Sequence, residues 1–380
     1  MVLASAVLAA TLTGCQLARE QAAGEIHIAA DLELSGSAAT VGKAYQRALE
    51  LKVDQLNKSG ALNGRKIVLE VRDNRSDPSE SLRNITDFTT NPAVSAIIMG
   101  GCNECAVGAA RTLNDKRVPA IALAPAHVVS NPIDQRRYVF KLAPNAADTA
   151  AALATELRHK GVKKVALLHT DDSYGQEGVT ALASELAKAK IQLTRAEPVK
   201  ATDSDVSRAM TSLTSTKPDG LVIWTSAEQA MLAAGEAKQS GYRGALFFDA
   251  AAAGDLFLGG AADNTTMVFT QTMVIDDVIA TTPAKAARKQ WFRDYTARFG
   301  GYYGFSSFAA DAVQLITDAA VRTGGSTNAV NRDGIRDVLE TSQTDGLSGP
   351  IRMTPDNHSG LMAQALTTLV ARGGRWRLAG

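Results

Sequence analysis

The sequence predicts an α/β protein built as two doubly wound lobes. Short apolar runs rich in β-branched residues alternate with amphipathic stretches of about 10–16 residues, the pattern of βαβ units around a parallel sheet. The alternation runs from residue 26 to residue 272, more chain than one such sheet takes up. The strand count also restarts near Ala146, after the turn-rich segment 125–144. No solenoid-length repeat and no low-complexity tract interrupts the pattern.

Taken in order, residues 2–12 are nearly all apolar or small and lead into Leu12-Thr13-Gly14-Cys15. An apolar stretch ending in small residues and a Cys reads as a secretory signal, here 1–15, whose removal leaves the Cys first. The tetrapeptide resembles the lipobox of bacterial lipoproteins, which implies lipid on Cys15 and an anchor at the outer face of the cytoplasmic membrane. The run is shorter than the roughly 20 residues that span a bilayer. Residues 16–24 are polar and small and are expected to be a tether. Strands are expected at 26–32, 66–72, 96–99, 120–124, 164–169, 193–198, 220–225, 245–248 and 267–272, each bounded by turn residues. Between them a helix is expected at 42–57, where Ala44, Ala48, Leu51 and Leu56 recur near a 3.6 period among charged residues. Further helices are expected at 106–116, 146–160, 175–188, 205–215, 227–239, 285–299, 308–322 and 332–341. Residues 346–376 change to turns and short strands, 350–353 and 364–370, and read as a hairpin-like addition to one lobe.

Of 380 residues, 45% are hydrophobic and 21% charged, the composition of a folded domain. The net charge of +1 offers nucleic acid no electrostatic footprint. There are only five His, and no G-x-S-x-G, H-E-x-x-H or P-loop motif, so no enzyme and no cofactor is expected. The three cysteines are Cys15, Cys102 and Cys105. With Cys15 lipidated, Cys102-Asn103-Glu104-Cys105 is a lone pair that an extracytoplasmic compartment would tend to oxidise. A two-residue spacer allows a disulfide where the backbone turns enough to bring the Cα atoms to about 4.4–6.8 Å. A redox-active pair is the alternative, though no thioredoxin-like architecture surrounds it. A metal site from Cys102, Cys105 and His127 would need a reduced pair and a fourth ligand, so no metal is expected.

Six segments together resemble a known family. They are Leu34-Ser35-Gly36 through Gly60-Ala61-Leu62-Asn63-Gly64; Arg72-Asp73-Asn74-Arg75-Ser76-Asp77-Pro78; Val118-Pro119-Ala120-Ile121 with Tyr138-Val139-Phe140-Lys141; Lys163 to His169 with Asp171-Asp172-Ser173-Tyr174-Gly175; Lys217-Pro218-Asp219-Gly220; and Tyr302 to Phe308 with Ala310-Asp311-Ala312-Val313. In this order and spacing they resemble the branched-chain amino-acid type of periplasmic binding protein, the type I solute-binding lipoproteins of ABC importers. The resemblance implies two α/β lobes joined by three crossovers, near 143–145, 271–273 and 349–352, with a small-molecule ligand in the cleft between them. Lobe one would be 25–143 plus 274–349, and lobe two 144–273 plus 350–380. It implies delivery of a small polar ligand to the membrane subunits of an ABC permease, or, as the alternative, a sensor of the same fold without a transport role. The chain is expected to act as a monomer.

Open α/β sheets bind ligands beyond the carboxyl ends of their strands, which selects the loop residues. Ser35, Ser37 and Thr40 offer hydroxyls in the first loop, before a helix expected to start at Gly42 and present its positive dipole end. Val41 stands where amino-acid binders often carry an aromatic. In the next loop the family uses a hydroxyl and backbone N–H groups for a ligand carboxylate. Here Cys102, Asn103 and Glu104 occupy it, and the family's usual partner for a Cys near Cys102 is absent, which leaves Cys102–Cys105 as the bridge. Ala124, Ala126 and His127 follow; the resemblance expects a Thr at Ala126. In lobe two, Tyr174 matches a tyrosine that closes over the ligand, beside Asp171 and Asp172. Trp224, Thr225 and Ser226 end a strand that should face the cleft. Asp249 is offset by one or two positions from the carboxylate that would pair with a ligand ammonium, and that register falls on Ala250 or Ala251; Asp255 is a second candidate. The departures at Val41, Asn103, Ala126 and Ala251 predict a ligand other than an ordinary branched-chain amino acid: an amide, a polyol-like compound, a cationic solute or a peptide.

Overall fold

A computed structural model describes residues 24–253, 265–324 and 330–379. The expected signal, Cys15, nearly all of the tether and Asp255 lie outside the described residues.

Residues 26–141 build one sheet. Its strands are β1 (Ile26–Leu32), β2 (Ile67–Asp73), β3 (Val94–Met99), β4 (Ala120–Ala122) and β5 (Val139–Lys141), in the order β2-β1-β3-β4-β5 and all parallel. Such strands are covered on both faces and read as apolar runs, as Val94–Met99 does: it is buried throughout. The helices α1 (Ala39–Ser59), α2 (Pro78–Thr90) and α3 (Asn103–Lys116) connect them. The second sheet holds β6 (Lys164–Thr170), β7 (Gln192–Val199), β8 (Gly220–Trp224), β9 (Ala245–Phe248) and β10 (Thr266–Thr270), with β13 (Leu366–Arg372) and β14 (Arg375–Leu378). Its order is β14-β13-β10-β9-β8-β6-β7, with β13 antiparallel to both β10 and β14. The C-terminal hairpin therefore extends this sheet. Helices α4 (Ala146–His159), α5 (Ser173–Ala189), α6 (Ser207–Ser215) and α7 (Ala227–Gln239) belong to it. The chain then supplies α8 (Pro283–Phe299), α9 (Ser306–Thr323) and α10 (Arg332–Glu340), and a separate pair β11 (Gln343–Asp345) with β12 (Pro350–Arg352).

Four elements exceed the sequence expectation: α2, β5, β11 and β14. Helix α2 has few apolar residues, Leu82, Ile85 and Phe88, and buries polar Ser81 and Asn84 as well, so its periodicity is weak. Its start is well marked, with Asp77 as N-cap accepting from the Glu80 N–H and Pro78 in the first turn. Strand β5 is only three residues long.

Helix α1 starts at Ala39 and not at Gly42. Gly42 is there for close approach: a Cβ would fall 2.0 Å from the Glu33 carbonyl oxygen. The backbones of α1 and of the segment after β1 touch at this glycine.

Where the chain passes between sheets, two crossing segments are tied together. The Lys141 N–H donates to the His358 carbonyl (2.9 Å), and the Gly360 N–H to the Lys141 carbonyl (2.8 Å). His358 also stacks on Phe140, with ring centroids 4.3 Å apart. The buried Lys141 ammonium donates to the carbonyls of Pro125 and Ala143 and to Asn145 Oδ1, which also accepts from Ser359 Oγ. Burial pushes the Lys141 ammonium down to about 8.

Candidate functional site

Between the two sheets lies a cleft of about 250 Å³. The parallel strands all run toward it, and the residues just past their ends form its walls. Glu33 follows β1, Ser76 follows β2, Gly101 and Cys102 follow β3, and Leu123 and Pro125 follow β4. From the second sheet come Thr170 and Asp172 after β6, Ala201 after β7, Thr225 after β8 and Ala250 after β9. Ala143 and Pro144 close the floor at the crossing after β5. This is the geometry in which open parallel sheets hold ligands.

Seven of the residues selected from sequence line the cleft: Ser37, Cys102, Asn103, Glu104, Tyr174, Thr225 and Ser226. The structure places the others elsewhere. Ser35 turns to β2, its hydroxyl donating to Asp73 at 2.6 Å, and so fixes the loop. Thr40 lies half-buried inside α1, because that helix starts earlier than expected. Ala124 and Ala126 are fully buried in the core beneath the wall. His127 is exposed at the rim. Trp224 is fully buried behind the wall, with its ring 5.7 Å from that of Tyr174 and packed over Gly178. Asp249 is fully buried and accepts the Tyr174 hydroxyl proton, so it holds that ring in place. Among the described residues, no Lys, Arg or His lines the cleft.

Residues missed from sequence complete the walls. Tyr45 lies one turn beyond Val41 on α1, and Phe305 and Phe308 open α9. These rings supply the aromatic wall that the Val41 position lacks; Tyr45 and Phe305 meet edge-on at 6.3 Å. Glu33 and Glu228 also face in. The strand-end rule that selected Asn103 and Thr225 also covers Glu33, which sits immediately after β1.

Glu33 changes the chemistry of the loop after β3. Its carboxylate accepts from the Gly101 N–H (3.0 Å) and the Cys102 N–H (3.2 Å), with Asn74 donating at 3.3 Å. These are backbone donors of the loop that the family resemblance assigns to a ligand carboxylate. Burial raises the Glu33 carboxyl above the usual range in spite of these donors. Asn103 is likewise spent internally: its side-chain oxygen accepts the Ala126 N–H at 2.8 Å. Cys102 and Cys105 are joined, with Cα atoms 5.2 Å apart, at the N-terminus of α3. Glu33 lies close to both sulfurs, but a bridged pair offers no thiolate to a metal.

Two carboxylates cross from one lobe to the other. Glu104 on α3 accepts from the Ser173 hydroxyl at the start of α5 (2.9 Å). Glu177 on α5 accepts from the backbone N–H of His127 at 2.7 Å and 2.8 Å, with the Val128 N–H at 3.4 Å. Each carboxylate thus serves an N-terminal turn of the opposite lobe, where the free N–H groups point outward.

A family model described as a periplasmic binding protein matches residues 25–375. Among curated relatives, the chain is 25% identical over 157 residues to the chemotactic signal transduction system substrate-binding protein BasB of Halobacterium salinarum, 40% of this chain. It is 23% identical over 248 residues to the Leu/Ile/Val-binding protein homolog 7 of Brucella abortus, 62% of this chain. The matches span 38% and 61% of those relatives' own lengths, less than two thirds of each. An extracellular ligand-binding receptor from Rhodopseudomonas palustris HaA2 superposes with a TM-score of 0.85 at 23% identity, over 93% of this chain and 99% of that one, and shares the fold. The chain belongs to the periplasmic binding protein family, of the type I that includes the Leu/Ile/Val-binding proteins. Among the described residues, no helix is long and apolar enough to cross a membrane.

Proposed function

We propose that this chain is an extracytoplasmic lipoprotein that captures a small polar solute between its lobes and delivers it to an ABC permease. The observation that supports this best is the cleft itself, walled by the strand ends of both sheets and spanned by Glu104 and Glu177. A ligand that touches both walls gains contacts only when the lobes are together, so it favours the closed form. A permease can then distinguish loaded from empty protein by shape. In this reading Cys15 carries the lipid, Cys102–Cys105 is a structural disulfide that stiffens the loop above Glu33, and the lobes divide near 143–145, 271–273 and 349–352. Ser37, Tyr174, Thr225 and Ser226 touch the ligand. Trp224 and Asp249 position Tyr174.

Thermal unfolding of the purified chain against amino acids, amides, polyamines, sugars and short peptides tests the capture step. A ligand at about 100 times its Kd adds about 2.7 kcal/mol of stability. A midpoint raised by one chemical class supports solute capture; no shift with any class contradicts it. The BasB likeness favours a second reading, a sensor's binding subunit. Uptake of the identified solute by cells lacking this chain separates the two: transport predicts lost uptake, and sensing predicts unchanged uptake.

A further inference from the structure

Three donor groups at the cleft and its rim are already served by this chain's own carboxylates, while the N-terminal turns of α1 and α7, which also line the cleft, carry no side-chain cap, and the second of them holds Glu228. The Gly101 and Cys102 N–H groups hold Glu33. At the start of α5 the Gly175 N–H holds Asp172, while the Ser173 hydroxyl holds Glu104. The His127 N–H, at the rim, holds Glu177. An anionic ligand would have to displace a fixed carboxylate to reach any of these donors.

The cleft wall carries Glu33, Glu104, Asp172 and Glu228 and, among the described residues, no cationic side chain. Lys141 lies behind the wall, its ammonium turned to the Pro125 and Ala143 carbonyls and Asn145. Glu228 differs from the other three acids: its Oε2 is buried and has no hydrogen-bond partner among the described residues. It sits in the first turn of α7, beside the lining residues Thr225 and Ser226. A buried carboxylate oxygen without a donor is costly, and a donor on the ligand would relieve it. The same cleft is lined by the rings of Tyr45, Tyr174, Phe305 and Phe308, surfaces that suit an apolar body and a cationic head.

We propose that the cleft selects a small organic cation, an amine or guanidine with an apolar body and no carboxylate, and that Glu228 is the group that receives its positive end. This rests on the solute-capture reading and names the ligand class for the same cleft. An amino acid is disfavoured because its carboxylate meets Glu33 at the Gly101 and Cys102 N–H groups and faces the acids of the wall.

The test uses calorimetry on the full chain with two matched sets. One is 3-methylbutylamine, leucine and 4-methylpentanoate; the other is tyramine, tyrosine and 3-(4-hydroxyphenyl)propanoate. In at least one set the amine binds at least tenfold more tightly than its two partners. Glu228→Gln weakens that binding at least tenfold without lowering the ligand-free unfolding midpoint, and Glu228→Asp keeps part of the binding. Tighter binding of an amino acid or a carboxylate overturns the cation class and leaves solute capture standing. Amine binding indifferent to Glu228→Gln overturns the role of Glu228. If none of the six binds but an amide or sugar from the wider panel does, the class fails alone; if nothing in either panel binds, both readings fail.

Discussion

Glu33 is a carboxylate held by backbone donors of the loop that the family resemblance implies for a ligand carboxylate. Truncating it exposes what it does. Glu33→Ala leaves the Gly101 and Cys102 N–H groups without their acceptor, which costs about 1–3 kcal/mol for a buried pair. We predict that millimolar acetate restores part of the loss by re-occupying those donors. Denaturation in acetate against chloride at equal ionic strength checks this; equal curves would mean that the donors find water instead. The residues hardest to read from sequence were those whose side chains turn inward. Trp224 and Asp249 sit at strand ends like their cleft-lining neighbours yet are fully buried, and Asn103, in the first turn of α3, lines the cleft but spends its side-chain oxygen on the Ala126 N–H. Side chains alternate in direction along a strand, so a shift of one position at its end moves a side chain from cleft to core. Ser37, Tyr174, Thr225 and Ser226 were legible because hydroxyls after a strand end have few apolar places to go.

The helix ends show a second kind of limit. Sequence periodicity placed α3, α5 and α7 well, because each carries an apolar stripe beneath a polar face. It could not show that α3 and α5 reach across the cleft, since Glu104 and Glu177 read as ordinary exposed acids. A carboxylate accepting backbone N–H groups makes charge-assisted bonds worth about 1.5–3 kcal/mol. Glu177→Ala should therefore lower the population of the closed form. We predict that ligand affinity falls by about tenfold, the equivalent of about 1.4 kcal/mol. An unchanged affinity would show that the Glu177 contact contributes nothing to closure. Gly42 was misread for a related reason: a glycine near a helix start suggests a boundary, whereas here it permits contact with the Glu33 backbone inside a continuing helix.

For the molecule as a whole, the two-sheet plan was readable because buried parallel strands separated by amphipathic helices leave a strong pattern. The junctions were not, because they depend on contacts between segments more than 200 residues apart, such as Lys141 with His358 and Ser359. Lys141 gives the junction a pH signature. Its ammonium is pushed down to about 8, below the ordinary lysine value of 10.5. Between those values the unfolded chain binds more protons than the folded one, so stability rises with pH across that window. The contribution is fully present above 10.5 and is lost as pH falls through about 8. We predict that the stability difference between wild type and Lys141→Met shifts toward wild type by about 3 kcal/mol from pH 7 to 10.5. A difference that does not change with pH would mean that the ammonium is better solvated than its burial indicates.

The central claim is that a solute held by both walls draws the lobes together. Small-angle scattering of the full chain, alone and saturated with whichever compound raises the unfolding midpoint, tests it most directly. The account predicts a smaller radius of gyration in the loaded protein, with the contraction reduced in Glu177→Ala. A radius unchanged at saturation would contradict closure as the signal that this chain sends.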